Sequence, residues 1–184
     1  MKIYTRQGDD GTTGLLYGGR VRKDSDQPIA YGDVDEAQAA IGWARAQADP
    51  DSDIDRVLIY ILRDLWVLMA ELATLPENRH KLESGVSLVT QEMIEDLERN
   101  IDECSEKFSA PTEFVIPGQN PLAAALDIAR TVVRRAERTA LKVHADNSLV
   151  GPYLNRLSDL MWMLARWQDK GSLPAREVDN NNEE

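Results

Sequence analysis

Cysteine is nearly absent from the chain. Cys104 is the only one in 184 residues, which rules out an intrachain disulfide and a thiolate metal cluster. At helical spacing from Leu97 and Ile101, it reads as a core side chain rather than a reactive thiol. Histidine is scarce too: His80 falls in a polar loop and His144 near a helix end, and both are expected to be exposed. There is no His cluster and no Ser-His-Asp arrangement, so the protein supplies no evident nucleophile of its own. Basic residues are outnumbered, 21 against 32 acidic, for a net charge of −11 and a pI near 4.7. That balance argues against a general nucleic-acid binder and against docking on an anionic membrane. No apolar run approaches the roughly 18 residues of a membrane span. The first ten residues, MKIYTRQGDD, lack the apolar stretch of a secretory signal, so a cytoplasmic protein is expected.

What is present is enough for one domain with a substantial core, at 42% hydrophobic residues. Residues 1–23 stand apart. They hold Gly8, Gly11, Gly14, Gly18 and Gly19 and show no helical period. Their charge is locally positive, with Lys2, Arg6, Arg20, Arg22 and Lys23 against Asp9 and Asp10. At the centre is T-R-Q-G-D-D-G-T-T, from Thr5 to Thr13. Glycines let backbone amides approach a ligand, and successive amides can cradle an anion. The alternative is a glycine-rich surface turn. The P-loop order of residues is missing. Lys23 is either a phosphate partner or an ordinary exposed lysine.

From about Tyr31 the pattern turns helical. Val34, Ala37, Ile41 and Ala44 mark a first helix that ends at Pro50. A second carries a broad apolar stripe from Ile54 to Leu72 and stops before Pro76. A polar loop covers residues 77–85. A third helix is expected over residues 87–108, with Val89, Met93, Leu97, Ile101, Cys104 and Phe108 on one face and a solvated acidic face opposite. Residues 111–121 are a break around Phe114-Val115-Ile116, and Phe114 by itself reads as a core anchor. A fourth helix begins near Pro121 and runs to about His144, with an alanine-rich apolar face. A fifth spans about residues 151–169, with Tyr153, Leu154, Leu157, Leu160, Met161, Leu164 and Trp167 inward. Lys170-Gly171 and Pro174 end it. The sequence thus predicts five antiparallel helices and essentially no strand over residues 1–174, followed by an acidic, disordered tail at 175–184.

Arg130, Arg134 and Arg138 recur every four residues of the fourth helix, with Glu137 beside them. Stacked like charges weaken a helix, by a few tenths of a kcal/mol per pair (roughly). In an acidic protein, such a guanidinium stripe suits a carboxylate or phosphate partner. The alternative is a solvated face in which Glu137 pairs with Arg134. Asn155 and Asp159 share the polar edge of the fifth helix with Arg156, and Asp35-Glu36 lies among small apolar residues of the first. A glycine-threonine loop, a lysine, an arginine stripe and an Asn-Asp pair would together suit a polyphosphate nucleotide with a divalent ion. Such a site orients phosphates and neutralises charge, so the nucleophile must belong to a second substrate.

Several blocks, in order, resemble one family. They are K-I-Y-T-R-Q-G-D-D-G-T-T-G-L, R-V-R-K-D, Y-G-D-V-D-E, F-V-I-P-G, A-R-T-V-V-R-R-A-E-R and Y-L-N-R-L-S-D-L, spread between Met1 and Arg166. Together they look like the PduO type of ATP:cob(I)alamin adenosyltransferase. The resemblance implies an all-α, ferritin-like five-helix bundle with a glycine-rich N-terminal loop, assembled as a homotrimer with active sites between subunits. It implies transfer of the 5′-deoxyadenosyl group of ATP to the cobalt of cob(I)alamin with release of triphosphate. ATP and cobalamin are then substrates, Mg2+ the cofactor, and a flavoprotein or other reductase an expected partner. By the same resemblance, the ATP-binding residues are Thr5, Arg6, Gln7, Gly8, Asp9, Gly11, Thr13 and Lys23 in the loop. Arg134, Arg135, Glu137, Arg138 and Asn155 follow on the helices, with Glu137 a candidate Mg2+ ligand. Arg130 is expected to pair across the subunit interface with Asp35. Phe114 is expected against the corrin, where it excludes a lower axial ligand and eases reduction of cobalt; these three are the expected catalytic residues.

Two positions depart from the family pattern: Gln7 replaces a Thr, and Gln119 replaces the second glycine after Pro117. Gln7 can still reach a phosphate, whereas Gln119 adds a side chain near the expected corrin edge. Two other readings stay open: a cobalamin- and ATP-binding chaperone or sensor without turnover, and a helical bundle without a ligand.

Overall fold

A computed structural model describes residues 3–178. It contains five long α-helices: α1 (Asp26–Arg45), α2 (Asp53–Leu72), α3 (Gln91–Ser105), α4 (Pro121–Ala140) and α5 (Val150–Asp169). Beside the helices there are only four strands of two or three residues among the described residues, in keeping with the expectation of essentially no strand. β1 (Thr12–Gly14) pairs antiparallel with β2 (Arg20–Arg22), and β3 (Val115–Ile116) pairs with β4 (Leu173–Pro174). The loop after α2 holds a 3-10 turn, Pro76–Lys81. A second, Ala175–Glu177, follows β4, so the described part of the expected tail is not featureless. Residues 1, 2 and 179–184 lie outside the described residues.

Helix α4 packs on α1 and α5, α1 on α2, and α3 on α5. Small side chains permit this. Ala30, Ala37 and Ala44 of α1 and Ala125, Ala129, Ala136 and Ala140 of α4 are all fully buried. Larger side chains fill the rest, including Leu58, Leu65, Leu68, Leu154, Leu157, Leu160 and Met161. Each such burial contributes about 1.5–3 kcal/mol. The expected core Cys104 is buried, and burial pushes its thiol pKa up, as an inert core cysteine requires. Trp167 is only half-buried, with the Lys107 ammonium 4.5 Å from its ring centre. His144, expected to be exposed, is half-buried, with Nδ1 2.8 Å from the Ala145 carbonyl.

Helix boundaries follow local chemistry. Helix α1 starts five residues before Tyr31 because Pro28 sits in its first turn, where a missing N–H costs nothing. Helix α3 starts at Gln91 rather than 87. The amides of Val86, Ser87 and Leu88 all donate to the Glu83 carbonyl, and the Thr90 hydroxyl caps the Met93 amide. Asn120 caps α4 by accepting from the Ala123 amide at 2.9 Å, while its own amide donates to the Gln168 carbonyl at 2.7 Å. One side chain therefore fixes the start of α4 to the end of α5. Buried Glu71 ties the opposite end. It accepts from Arg79, from the Ser148 hydroxyl and from the Val89 amide, at 3.0, 2.6 and 2.9 Å. A buried carboxylate with three donors is satisfied, and it joins α2 to the α2–α3 and α4–α5 connections.

Candidate active site

The N-terminal loop is built around a side chain the sequence reading missed. Arg20 on β2 donates to the Thr12 hydroxyl through Nε at 3.1 Å and Nη2 at 2.6 Å, and to the Gln7 carbonyl at 2.7 Å. Thr12 in turn donates to Asp10 through both its amide and its hydroxyl. The Thr12 hydroxyl bond, above all, holds the Asp10 carboxyl below the ordinary carboxylate range. Thr5 accepts from the Gln7 amide at 3.4 Å. Gly11 adopts φ +80°, a left-handed turn that favours glycine, and its carbonyl accepts from the Lys23 amide at 2.9 Å. Gly8 lies beside Lys23. A Cβ there would stand 2.8 Å from Lys23 Nζ and 3.1 Å from the Thr12 carbonyl oxygen, so a side chain at this position would displace the ammonium. The loop thus brings Gly8, Gly11, Thr13 and Lys23 together, with Arg6 and Asp9 exposed beside them. It is anchored on the bundle by the Leu16 amide, which donates to the Ala73 carbonyl at the end of α2.

The arginine stripe faces outward, as its spacing predicts. Arg134 and Arg138 are exposed, and Arg138 Nη1 donates to the Arg134 carbonyl at 2.9 Å. Neither has a carboxylate at ion-pair distance among the described residues, so Glu137 does not neutralise Arg134. Glu137 instead accepts from Asn155 of α5 at 3.1 Å, which brings two expected nucleotide ligands into contact. Arg135 behaves otherwise. It turns to α1, where it pairs with Glu36 and lies 3.8 Å from Asp33, off the face of the stripe. Arg156 is held by Glu98 and Asp159, at 3.0 and 3.2 Å. Lys142, one turn beyond Arg138, lies 4.0 Å from Asp26. The end of α4 therefore meets the start of α1, to which Lys23 leads.

A cavity of about 740 Å³ opens near the other end of α4. Phe114, Val115, Asp127, Arg130, Trp162 and Arg166 contribute to its wall. The reading of Phe114 as a core anchor is corrected here: its side chain is 91% exposed. Its backbone is fixed, because its carbonyl accepts from the Ala175 amide at 2.8 Å beside the β3–β4 pair. Gln119 is not among the residues around this cavity; its amide turns to the Ile116 carbonyl. Arg130 Nε donates to Asp127 Oδ1 at 3.2 Å within its own helix. Asp35 does not lie on an apolar face as expected. Val34 and Ala37 point inward, and Asp35 points to solvent with no cation at ion-pair distance among the described residues. Asp127 and Arg166 escaped notice in the sequence. Their only signal is the spacing of Asp127 to Arg130 and of Arg166 to Asp169, three residues each.

Three positions of one helix face thus run from the cavity towards the start of α1. Arg130, Arg134 and Arg138 are spaced about 6 Å apart along the axis. The arrangement offers cations to a long anion and, at its end, an aromatic wall to a flat apolar ligand. Among the described residues no group of three or more His, Cys, Asp and Glu could hold a metal by itself. An ion here would need oxygens from a bound substrate.

Comparison with known proteins gives the same picture. Residues 3–168 match the family model described as Cobalamin adenosyltransferase. A corrinoid adenosyltransferase of Mycobacterium tuberculosis (strain H37Rv) is 46% identical over 172 residues, covering 90% of this chain and 87% of that protein. Corrinoid adenosyltransferase PduO of Salmonella typhimurium is 37% identical over 181 residues, covering 97% of this chain and 53% of that protein. A solved variant of the PduO-type ATP:corrinoid adenosyltransferase from Lactobacillus reuteri, complexed with cobalamin and ATP, superposes with a TM-score of 0.86. It is 29% identical, and the match covers 96% of this chain and 97% of that one. In sequence from end to end of the helical bundle, and in the path of its backbone, the chain belongs to the cobalamin adenosyltransferase family.

Proposed function

We infer that this chain transfers the 5′-deoxyadenosyl group of ATP to the cobalt of cob(I)alamin. Cobalt(I) donates an electron pair to C5′ of the ribose, the C5′–O bond breaks, and triphosphate leaves with that bond's electrons. The protein binds, aligns and neutralises. Lys23 and the loop amides, together with Arg134 and Arg138, face the phosphates. These cations stabilise the charge that the leaving triphosphate gains. Asn155 holds Glu137 in place. Mg2+ fits this donor set if Glu137 and phosphate oxygens share it, and it would supply further charge neutralisation. Arg135 belongs to the ATP side only through the backbone it stiffens, because its guanidinium serves α1.

The observation that carries this reading is Phe114. A core-type side chain in an apolar Phe-Val-Ile run stands in solvent on a fixed backbone, beside the first arginine of the stripe. An aromatic held there suits the lower face of a corrin and keeps an axial ligand away. Among the described residues Asp35 and Arg130 form no ion pair with each other, and pairing between copies in a homotrimer would give Asp35 a cation and Arg130 a carboxylate beyond Asp127. No helix among the described residues is long and apolar enough to cross a membrane. A cytoplasmic location goes with a reaction that draws on ATP and on a reductase for the electron.

The test is direct. Protein, ATP, Mg2+ and chemically reduced cobalamin are mixed, and the adenosylcobalamin spectrum and triphosphate should appear together. ATP and cobalamin binding without either product would mean a chaperone or sensor.

A further inference from the structure

Four charges alternate from the interior to the cavity wall. Asp169 has a side-chain exposure of 0%, Arg166 of 2%, Asp127 of 11% and Arg130 of 31%. Arg166 Nε lies 3.1 Å from Asp169 Oδ2, without hydrogen-bond geometry. Its Nη2 donates to Asp127 Oδ2 at 2.5 Å. Asp127 Oδ1 then accepts from Arg130 Nε at 3.2 Å. Both oxygens of Asp127 are thus used, one on a buried arginine and one on the arginine at the cavity. Arg130 has no other carboxylate at ion-pair distance among the described residues.

Buried ion pairs are poor glue. Desolvation offsets most of their attraction, and apolar side chains of similar size hold helices at least as well. Helices α4 and α5 already share an apolar core through Leu126, Ala129, Leu157 and Leu160. What an alternating chain does supply is direction. It fixes Arg130 by Nε, so the terminal nitrogens keep one orientation towards the cavity.

We propose that Asp127 and Arg166 are positioning residues that set the Arg130 guanidinium at the wall of the Phe114 cavity. The proposal rests on the reading of that cavity as the cobalamin side of the site. A pair that merely registers α4 against α5 is the competing explanation.

The experiment replaces the buried charges together, in the triple variant Asp127→Leu/Arg166→Met/Asp169→Asn. Asn keeps an acceptor for the Ser172 hydroxyl, which donates to Asp169 at 3.3 Å. No fully buried charge is left without a partner, and Arg130, at 31% exposure, keeps access to water, so the variant should fold with a Tm at or above that of the unsubstituted protein. The KM for ATP should be unchanged, and kcat/KM for cob(I)alamin should fall at least about tenfold, as misplaced groups near a reacting centre cause. Native kcat/KM at native Tm would overturn the proposal. So would loss of folding, or an equal fall for ATP and cobalamin, since either assigns the chain to the fold. The unsubstituted protein is assayed alongside. If it makes no adenosylcobalamin, the reading of function fails, independently of the positioning pair.

Discussion

Phe114 keeps an aromatic ring in water, and that can be separated from a packing role. A buried Phe cut to Ala loses about 3–5 kcal/mol of stability. At 91% exposure, Phe114→Ala should leave the Tm almost where it was, within the ~0.5 kcal/mol of a surface change. Turnover starting from cob(II)alamin should fall, and supplying cob(I)alamin should restore part of it. A large drop in Tm with no such recovery would return Phe114 to the core. Arg134 and Arg138 make the complementary case. Each lacks a carboxylate partner among the described residues, so Ala at either position should leave the helix folded. Losing one charge-assisted partner costs about 1.5–3 kcal/mol, or roughly ten- to hundredfold in ATP affinity by titration calorimetry. Unchanged affinity would reduce the stripe to a solvated face. The stripe itself was legible, because four-residue spacing is a property of any helix. The direction of Arg135 was not: it depends on which helix lies alongside. Arg20 was missed because its targets, a carbonyl and a hydroxyl, are set by the hairpin and leave no periodic trace.

The helices were readable from apolar spacing, and so were the bounds of α2 and α5 and the start of α4; the starts of α1 and α3 were not. Polar first turns hide starts, as with Pro28 in α1. Val89 shows the reverse error: it keeps helical spacing but is buried before α3 begins, with its amide on Glu71. Packing between elements also sets titration. Asp64 of α2 accepts from the Tyr153 hydroxyl of α5 at 3.1 Å. Burial pushes its carboxyl above the ordinary carboxylate range, and the Tyr153 bond only partly opposes this. The folded state therefore binds the proton more tightly than the unfolded chain. This contribution to stability is complete below the unfolded pKa and is lost as pH rises through the raised folded value. Asp64→Asn has no such proton to lose. Its Tm should match that of the unsubstituted protein below about pH 4 and exceed it at neutral pH. A lower Tm for the variant at neutral pH would mean that the Tyr153–carboxylate bond outweighs the cost of burial.

On the proposed reading, one copy of the chain holds both halves of a shared site. Among the described residues Asp35 is exposed, Arg130 is half-buried against Asp127, and the two form no ion pair with each other. Trp43 and Trp66, at 51% and 67% exposure, add apolar surface of the kind that subunits cover. Neither the sequence nor a single chain reveals the assembly; only the resemblance implied it. Light scattering should give three copies. The shared site itself is tested by complementation. Asp35→Ala and Arg130→Ala are each expected to be nearly inactive, and they are co-expressed so that mixed oligomers form. If each site takes Asp35 from one subunit and Arg130 from its neighbour, some interfaces regain both residues. Random mixing should then return roughly a quarter of the adenosylation rate. Mixed oligomers as inactive as either parent would contradict a site built between subunits.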